Sequence, residues 1–135
     1  MNNLIENFFT AKAYAVIGVS NNRGKFGNKV LRCLNERFTK VYPIHPVQPE
    51  IEGIPCVVSV LELPDGVESL SVVTPPAITE KIIEEAHQKG IKHIWMQPGA
   101  ESTIAIEKCN QYGIEVIAGG PCILVKLGWF ATHND

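Results

Sequence analysis

One uninterrupted apolar run, from Ala13 to Val19, constrains the fold of this 135-residue chain more than any other feature. Apolar residues without polar alternation over this length are typical of a parallel strand that is covered on both faces. A polar, glycine-bearing loop follows at 20–25. Apolar residues then recur every four positions from Phe26 to Phe38, which predicts a helix. The chain therefore begins its core with a strand, a loop and a helix.

Strand and helix patterns alternate through the rest of the sequence. Further strands are predicted at 40–44, 69–73, 91–96 and 115–118, and further helices at 4–9, 76–89 and 104–112. Proline at the start of the 76–89 pattern and glycine after its end agree with the known preferences at helix termini. This order predicts right-handed crossovers and a single α/β domain, with a mostly parallel, doubly wound sheet of about five strands and helices on both faces.

Three segments are less regular. Residues 51–56 are predicted to form a loop with a short strand, and Ser59 is expected to cap a single helical turn that ends before Pro64. The apolar stretch 123–130 is expected to cover the core or an oligomer interface.

The composition excludes several classes of protein. The net charge is −2, whereas a duplex nucleic-acid binder usually carries a strong positive excess. No apolar run approaches the roughly 20 residues needed to cross a bilayer, and the N-terminus carries no secretory pattern. We therefore expect a cytoplasmic protein without nucleic-acid or membrane partners. The cysteines are not spaced as metal or dithiol pairs, so we expect no metal site and unpaired thiols. They are Cys33, Cys56, Cys109 and Cys122.

The ligand site is expected at one edge of the sheet. In open α/β sheets, ligands bind beyond the carboxyl ends of the strands, near the point where the strand order reverses. This rule selects five loops that are rich in glycine, proline or small polar residues. They are 18–27, 45–49, 74–76, 97–100 and 119–122.

The first of these loops carries the most information. Gly18 permits a tight turn, and the start of the following helix offers free N–H groups and the positive end of the helix dipole. Arg23 and Lys25 add two cations beside it. The combination suits a polyphosphate. The alternative is a glycine-rich turn with solvated basic side chains, because the spacing from Gly18 to Gly27 matches neither the dinucleotide fingerprint nor a P-loop.

The end of the second strand disfavours a nicotinamide cofactor. An NAD site usually places an acidic residue there to bind the ribose hydroxyls, but this chain has Ile44-His45-Pro46 and no acid before Glu50. His45 either faces a ribose or a phosphate, or is an exposed loop residue; the sequence leaves both open.

Five motifs in order at the predicted strand ends resemble the stand-alone CoA-binding domain family, which is similar to the N-terminal domain of the succinyl-CoA synthetase α subunit. The resemblance spans residues 10–125. The motifs are Ala15-Val16-Ile17-Gly18-Val19-Ser20, Lys25-Phe26-Gly27, Pro43-Ile44-His45-Pro46, Val73-Thr74-Pro75-Pro76 and Trp95-Met96-Gln97-Pro98-Gly99-Ala100.

The resemblance implies a Rossmann-like fold with coenzyme A or an acyl-CoA lying across these loops. Three groups of residues would contact it. Gly18, Val19, Ser20, Arg23, Lys25 and Phe26 would meet the nucleotide and its phosphates; His45, Pro46, Thr74, Pro75 and Pro76 would line the adenine and ribose side; Gln97, Gly99 and Ala100 would face the pantetheine.

This chain departs from the family pattern at two places. The family usually has asparagine where His45 precedes Pro46, and more often carries charged residues where Gly119-Gly120-Pro121 precedes Cys122. Cys122 follows the fifth strand, so it could approach a bound thiol and form a mixed disulfide; the alternative is a buried, small apolar residue.

No self-sufficient catalytic constellation is visible, since a nucleophile needs a base within hydrogen-bond reach. The resembled ligase works through a phosphohistidine in a second domain and an ATP-binding partner subunit, so we expect no ligase activity from this chain alone. A CoA-binding or regulatory module is the leading hypothesis. The alternatives are an NAD(P)-dependent or acyl-CoA-handling enzyme subunit completed by a partner chain, and an interaction subunit whose pocket is vestigial. For partners, the sequence leaves open a homo-oligomer and a partner subunit.

Overall fold

The computed structural model describes residues 3–133 and contains a five-stranded parallel sheet between two layers of helices. The strand order is β2-β1-β5-β6-β7. The strands are β1 (Tyr14–Ile17), β2 (Val41–Ile44), β5 (Ser69–Val72), β6 (His93–Met96) and β7 (Glu115–Ile117). A separate antiparallel hairpin consists of β3 (Glu50–Ile51) and β4 (Ile54–Pro55). The predicted α/β class and the sheet of about five strands are confirmed.

Helices cover both faces of the sheet. The helices are α1 (Leu4–Phe8), α2 (Phe26–Arg37), α3 (Pro76–Lys89), α4 (Thr103–Tyr112), α5 (Ile123–Lys126) and α6 (Trp129–Thr132). Two clusters of buried apolar residues show which helices cover which face. Helices α1, α2, α5 and α6 contribute to one cluster, the α2-side core, together with Tyr14 and Val16. Helices α3 and α4 contribute to the other, together with Ala15 and Leu70. Successive residues of β1 thus serve opposite layers, which is why the run is apolar throughout.

Helix ends follow the expected chemistry. Pro76 is the first residue of α3, and Gly90 closes that helix with φ of 87°. Ser102 caps α4 by accepting from the N–H of Ala105. Ser59 precedes a single 3-10 turn (Val60–Glu62), but its side chain makes no capping hydrogen bond, so that detail of the sequence prediction is wrong.

Two segments are more structured than the sequence indicated. Residues 50–55 form a full hairpin, because Glu52 and Gly53 both adopt positive φ, at 53° and 76°, and reverse the chain. The apolar C-terminal stretch folds into α5 and α6, which bury Ile123, Leu124 and Trp129 against the α2 layer. The C-terminal segment therefore covers the core, one of its two predicted roles.

Candidate functional site

A cleft of about 430 Å³ opens at the carboxyl edge of the sheet, where β1 and β2 end beside α3. β1 lies between β2 and β5, and the crossover helices after β1 and β5 run to opposite faces of the sheet. The cleft therefore lies at the point where the strand order reverses, as the topology rule predicts. Five of the predicted site residues line it: Gly18, Val19, His45, Pro46 and Thr74.

A smaller pocket of about 290 Å³ adjoins the cleft through Thr74, which lines both. Its other walls come from two predicted loops, the turn after β5 and the turn after β6. They are Val73, Pro75, Pro98, Gly99 and Ala100. Four of the five predicted loops thus meet along one edge of the sheet.

The fifth predicted loop, 119–122, borders a different depression. This shallow hollow of about 620 Å³ lies beside the outer strand β7, between the start of α1 and Pro121. It is the larger of the two hollows, but it lies at the side of the sheet, away from the carboxyl end of β1 and from the start of α2. We therefore place the candidate site at the cleft.

Two glycines bring the end of β1, the start of α2 and the end of β5 into direct backbone contact. A Cβ on Gly18 would lie 2.0 Å from the Val73 carbonyl oxygen, and φ of Gly18 is 95°. A Cβ on Gly27 would lie 2.1 Å from the Gly18 carbonyl oxygen. The space at Gly27 is thus taken by contact between α2 and the end of β1. Gly24 has only the Asn22 side chain near it, at 3.3 Å.

Hydrogen bonds inside the loop and to α2 hold the 20–25 segment in one conformation. Ser20 Oγ accepts from the Asn22 N–H at 3.0 Å, and Asn22 Oδ1 accepts from the Gly24 N–H at 2.9 Å. The fully buried Asn28 donates from Nδ2 to the Ser20 carbonyl at 2.8 Å and to Glu52 Oε2 at 3.1 Å. Asn28, which the sequence analysis missed, therefore ties the loop to the β3–β4 hairpin.

The start of α2 has the features of an anion site. Lys25 is the N-cap, and a lysine side chain offers no acceptor to the first-turn N–H groups. The first turn also contains no acidic residue that would oppose an anion. Phe26, the first helical residue, is half-buried against the α2-side core. The positive end of the helix dipole is thus left without a side-chain cap from its N-cap residue.

The two predicted cations differ in their surroundings. Arg23 Nε lies 3.4 Å from Glu52 Oε2, and the Arg23 side chain is 64% exposed. Its backbone carbonyl accepts from Arg32 at 2.9 Å, which anchors the loop a second time. Lys25 is exposed at the start of the helix. One cation of the pair therefore already has an internal carboxylate partner.

His45 folds back onto its own loop. Its Nδ1 accepts hydrogen bonds from the N–H groups of Val47 at 3.1 Å and Gln48 at 3.0 Å. The ring is half-buried and lines the cleft. His45 is thus a structural element of the loop after β2 and part of the cleft wall.

One wall of the cleft escaped the sequence analysis. Ile78, Lys81, Ile82 and Glu85 of α3 line it, together with Val58 and Ser59. The α3 residues lie at spacings of three, four and seven from Ile78, so they share one helix face that begins directly after the Thr74 turn. That periodicity was the available signal. Lys81 and Glu85 are the charged residues among those lining the cleft.

Gln97 does not face the pocket. It is fully buried, and its amide donates to Ser71 Oγ at 3.2 Å and accepts from the Ile123 N–H at 3.1 Å. A ligand on the surface cannot reach this side chain, so the structure corrects the expectation that Gln97 faces the pantetheine. Its hydrogen bonds hold the start of α5 to the sheet. Neighbouring Gly99 is exposed, while Ala100 is buried but still lines the smaller pocket.

The cysteines divide into buried and half-buried thiols. Burial raises the pKa of Cys33 to about 11 and that of Cys109 to about 12. Burial also raises the pKa of Cys56. Cys122 is the half-buried N-cap residue of α5 and packs against the α2-side core; it lines neither the cleft nor the smaller pocket.

Other chemistry-bearing groups lie away from the cleft. His93 pairs with Glu115 at 3.1 Å, and His133 pairs with Glu36 at 3.1 Å. Within residues 3–133, no group of three or more His, Cys, Asp and Glu side chains could hold a metal ion. No helix in that range combines the length and apolar character needed to cross a bilayer.

Curated relatives of the chain include ADP-forming acetate–CoA ligases. Ligase I of Archaeoglobus fulgidus is 30% identical over 129 residues, which cover 88% of this chain and 19% of that protein. Ligase II subunit alpha of Pyrococcus furiosus is 28% identical over an aligned length of 143 positions, and the alignment covers 98% of this chain and 30% of that subunit. The chain thus spans less than a third of the length of these curated relatives.

Solved structures share the fold. A conserved hypothetical protein from Pyrococcus furiosus matches with a TM-score of 0.80 and 37% identity, covering 85% of this chain and 98% of that one. A hypothetical protein from Pyrococcus horikoshii gives 0.86 and 28%, covering 95% and 89%. Dinucleotide forming acetyl-coenzyme A synthetase 1 of Ca. Korarchaeum cryptofilum, in complex with phosphate and ADP, gives 0.75 and 29%, covering 87% and 27%.

The family comparison covers most of the sequence. The model of the family described as CoA binding domain matches residues 12–128, a range that includes the cleft, the start of α2 and the smaller pocket. The resemblance drawn from five short motifs is thereby confirmed, and the chain belongs to the CoA-binding domain family.

Proposed function

We propose that the chain binds coenzyme A or an acyl-CoA at the carboxyl edge of the sheet and acts as a binding module. The observation that carries this proposal is the proximity of two features. Gly18 lines an apolar cleft of about 430 Å³, and its carbonyl lies against Gly27 in the first turn of α2, whose N-cap side chain leaves the helix amides uncapped. CoA has a base, a pyrophosphate and a thiol-bearing arm, and along this edge lie an apolar cleft, an uncapped helix start and a second pocket.

The cleft suits the nucleoside half of the ligand. Its walls are mainly apolar, and buried apolar surface favours a purine ring by roughly 25 cal/mol per Å². Polar groups at its rim come from His45, Ser59 and Thr74, which can orient the base and ribose by hydrogen bonds. A ligand in this position would be held between the end of β1 and the face of α3 that carries Ile78 and Ile82.

The start of α2 suits the pyrophosphate. Free first-turn N–H groups and the helix dipole favour an anion there, and Lys25 and Arg23 supply positive charge from the same loop. Gly18 and Val19 line the cleft and lead directly into this loop. A nucleotide in the cleft would therefore bring its phosphates to the helix start.

The smaller pocket suits the pantetheine arm. Thr74 connects it to the cleft, and its rim consists of Pro75, Pro98 and Gly99. Small and proline-rich surfaces of this kind permit close approach of an extended, weakly polar chain. In the proposed pose the arm would run along the ends of β5 and β6.

A second candidate function is a subunit of an acyl-CoA ligase. It is favoured because two of the relatives are named as alpha subunits, of which the chain spans 30% and 20%. Here the chain would hold CoA for chemistry performed on a partner chain. We place either role in the cytoplasm.

Calorimetry with CoA, acetyl-CoA, NAD and ATP tests the proposal. CoA and acetyl-CoA should bind more tightly than NAD, because no acidic residue at the end of β2 receives the ribose hydroxyls. The R23A/K25A variant should bind CoA at least tenfold more weakly and with less salt dependence, since charge-assisted hydrogen bonds contribute about 1.5–3 kcal/mol each.

The matched control is K12A/K40A, which removes the same charge at the opposite ends of β1 and β2. This variant should bind CoA like the wild type. Equal affinity of both double variants would contradict a phosphate site at the loop.

A further inference from the structure

The hydrogen bonds of His45 define where the proton of its neutral ring lies. Nδ1 receives the backbone N–H groups of Val47 and Gln48, at 3.1 and 3.0 Å. Backbone N–H groups only donate, so Nδ1 must be an acceptor and carries no proton. The single proton of the neutral imidazole is therefore on Nε2, which makes Nε2–H a hydrogen-bond donor.

The ring is also fixed in place. The His45 backbone N–H donates to the Val57 carbonyl at 2.9 Å. This hydrogen bond ties the residue after β2 to the segment that precedes Val58. Pro46 and Pro49 flank the two donating amides and limit the backbone of the loop. Backbone and side chain together hold the imidazole at the wall of the cleft.

Nε2 is the unused polar atom of this arrangement. Across residues 3–133 it has no hydrogen-bond partner, although His45 is half-buried and lines the cleft. A donor that is pinned from one side and unpartnered on the other is suited to recognise a ligand acceptor, because little side-chain entropy remains to be lost.

We infer that His45 is a specificity-determining donor: its Nε2–H binds an acceptor oxygen or ring nitrogen in the nucleoside half of the ligand, and only the neutral ring can do so while the loop keeps its shape. This inference rests on the proposed function, since it assigns a role within the same cleft. Protonation at Nδ1 would place a third N–H against those of Val47 and Gln48, so both hydrogen bonds must break.

Other ionisable groups lie around the cleft and the loop that holds His45. Lys81 and Glu85 of α3 line the same cleft. On the hairpin side are Glu50, Glu52 and Cys56, of which Glu52 is paired with Arg23. A pH dependence of CoA binding that disappears when residue 45 is replaced, while these neighbouring groups are kept, can be assigned to His45.

Nitrogen-15 NMR of the ligand-free protein tests the tautomer directly. Long-range proton–nitrogen spectra at pH 8 should show the Nε2–H form of His45, and the Val47 and Gln48 amide signals should shift together with the ring on acidification. A ring protonated on Nδ1 at pH 8 would overturn the inference before any ligand is added.

CoA titrations at pH 8 and pH 5.5 with H45N and H45A test the role in binding. An asparagine offers Oδ1 to the same two amides and keeps the turn, but has no group at the position of Nε2 and does not titrate. At pH 8 the wild type should bind about two- to tenfold more tightly than H45N, the range of one net hydrogen bond. H45A, which loses the turn as well, should be weaker still.

The test is how the ratio of the wild-type affinity to the H45N affinity changes with pH. This ratio isolates His45, because titration of the ligand affects both proteins equally. The ratio should fall toward one at pH 5.5. A ratio that rises on acidification would instead identify His45 as a cationic phosphate ligand, and a constant ratio would remove it from recognition; both results overturn the inference. Wild-type protein that binds no CoA at either pH would contradict the proposed function itself, a result distinct from these two.

Discussion

Gly27, the second residue of α2, lies so close to Gly18 that a Cβ on Gly27 would be 2.1 Å from the Gly18 carbonyl oxygen. A Cβ on Gly18 would in turn lie 2.0 Å from the Val73 carbonyl oxygen. Three backbone segments therefore meet without an intervening side chain. This contact fixes the start of α2 relative to the end of the sheet, and with it the direction of the helix dipole.

Alanine at either glycine should destabilise the protein strongly. G27A and G18A force backbone segments apart, and G18A also imposes a positive φ on a residue with a side chain, so each should lower the free energy of unfolding by about 2–4 kcal/mol. Urea denaturation followed by circular dichroism measures the change.

G24A and G66A are the controls. Gly24 has only a flexible side chain nearby, and Gly66 has positive φ but open space around the Cβ position. We expect little change for G24A and a loss of about 1 kcal/mol for G66A. A G27A variant as stable as G24A would show that the close contact is not retained in solution.

Asn28 should stabilise the 20–25 loop through its hydrogen bond to the Ser20 carbonyl. N28A removes the donor to the Ser20 carbonyl and to Glu52, and the acceptor that Arg32 Nε reaches at 2.7 Å. Leaving buried polar partners unsatisfied typically costs about 1–3 kcal/mol. We expect that loss in urea denaturation, with faster amide exchange across 20–25.

N35A is the matched control, because Asn35 is exposed on the same helix. It should leave both stability and loop exchange near the wild-type values. If the 20–25 amides exchanged no faster in N28A than in N35A, the proposed anchoring would be wrong.

Gln97 should hold the C-terminal helices to the sheet. Q97L keeps the approximate volume but leaves the Ile123 N–H without its acceptor in a buried position, so a loss of about 1–3 kcal/mol is expected. Hydrogen exchange should increase first in 123–132. Q88L, at an exposed position of α3, is the control, and equal effects of the two variants would refute the role of Gln97.

The thiols should react in an order set by burial. Because the pKa of Cys109 is about 12 and that of Cys33 about 11, both stay protonated and covered at pH 8. Iodoacetamide followed by mass spectrometry should therefore modify Cys56 and Cys122 first, and Cys33 and Cys109 only after unfolding. Rapid labelling of Cys109 in the native protein would contradict its placement in the core.

The same experiment with oxidised CoA tests the suggested thiol contact. A CoA adduct at Cys122 that forms faster than one at Cys56 would support approach of the ligand thiol to Cys122. An unmodified Cys122 would exclude it.

The buried thiols also predict a loss of stability in alkali. Their pKa values in the folded protein lie above the ordinary value of 9.0, so the unfolded chain releases its protons first as the pH rises. Stability is then complete below about pH 9 and decreases between pH 9 and 12. The urea midpoint should fall from pH 8 to pH 10.5, and less so in C109A, measured relative to that variant's own value at pH 8. An equal fall in C109A would show that other groups cause it.

The sheet was predictable because its strands are short apolar runs between clear turn residues. All five parallel strands lie within the predicted segments, and α2, α3 and α4 agree to within one residue at each end. The β3–β4 hairpin was not predicted, since Glu52-Gly53 lacks the asparagine or aspartate that usually signals such a turn. The fold of 123–132 depends on tertiary burial, which short local patterns do not report.

The site residues that follow strand ends could be predicted from the sequence, and those that lie on helices could not. Gly18, His45, Pro46 and Thr74 come directly after strands, and the structure brings them together. Lys81 and Asn28 lie on helices, where their surroundings depend on which layer each helix joins. Gln97 follows a strand as well, yet its side chain turns inward to Ser71. Position at a strand end therefore indicates proximity to the site but not the direction of a side chain.

The ion pair between Arg23 and Glu52 joins two stretches of chain that share no motif. The net charge experienced by an incoming anion is consequently decided by the hairpin as much as by the glycine-bearing loop. The loop alone contributes two positive charges, from Arg23 and Lys25, and Glu52 offsets one of them. Positions 23 and 52 therefore act on an anion as a single electrostatic unit.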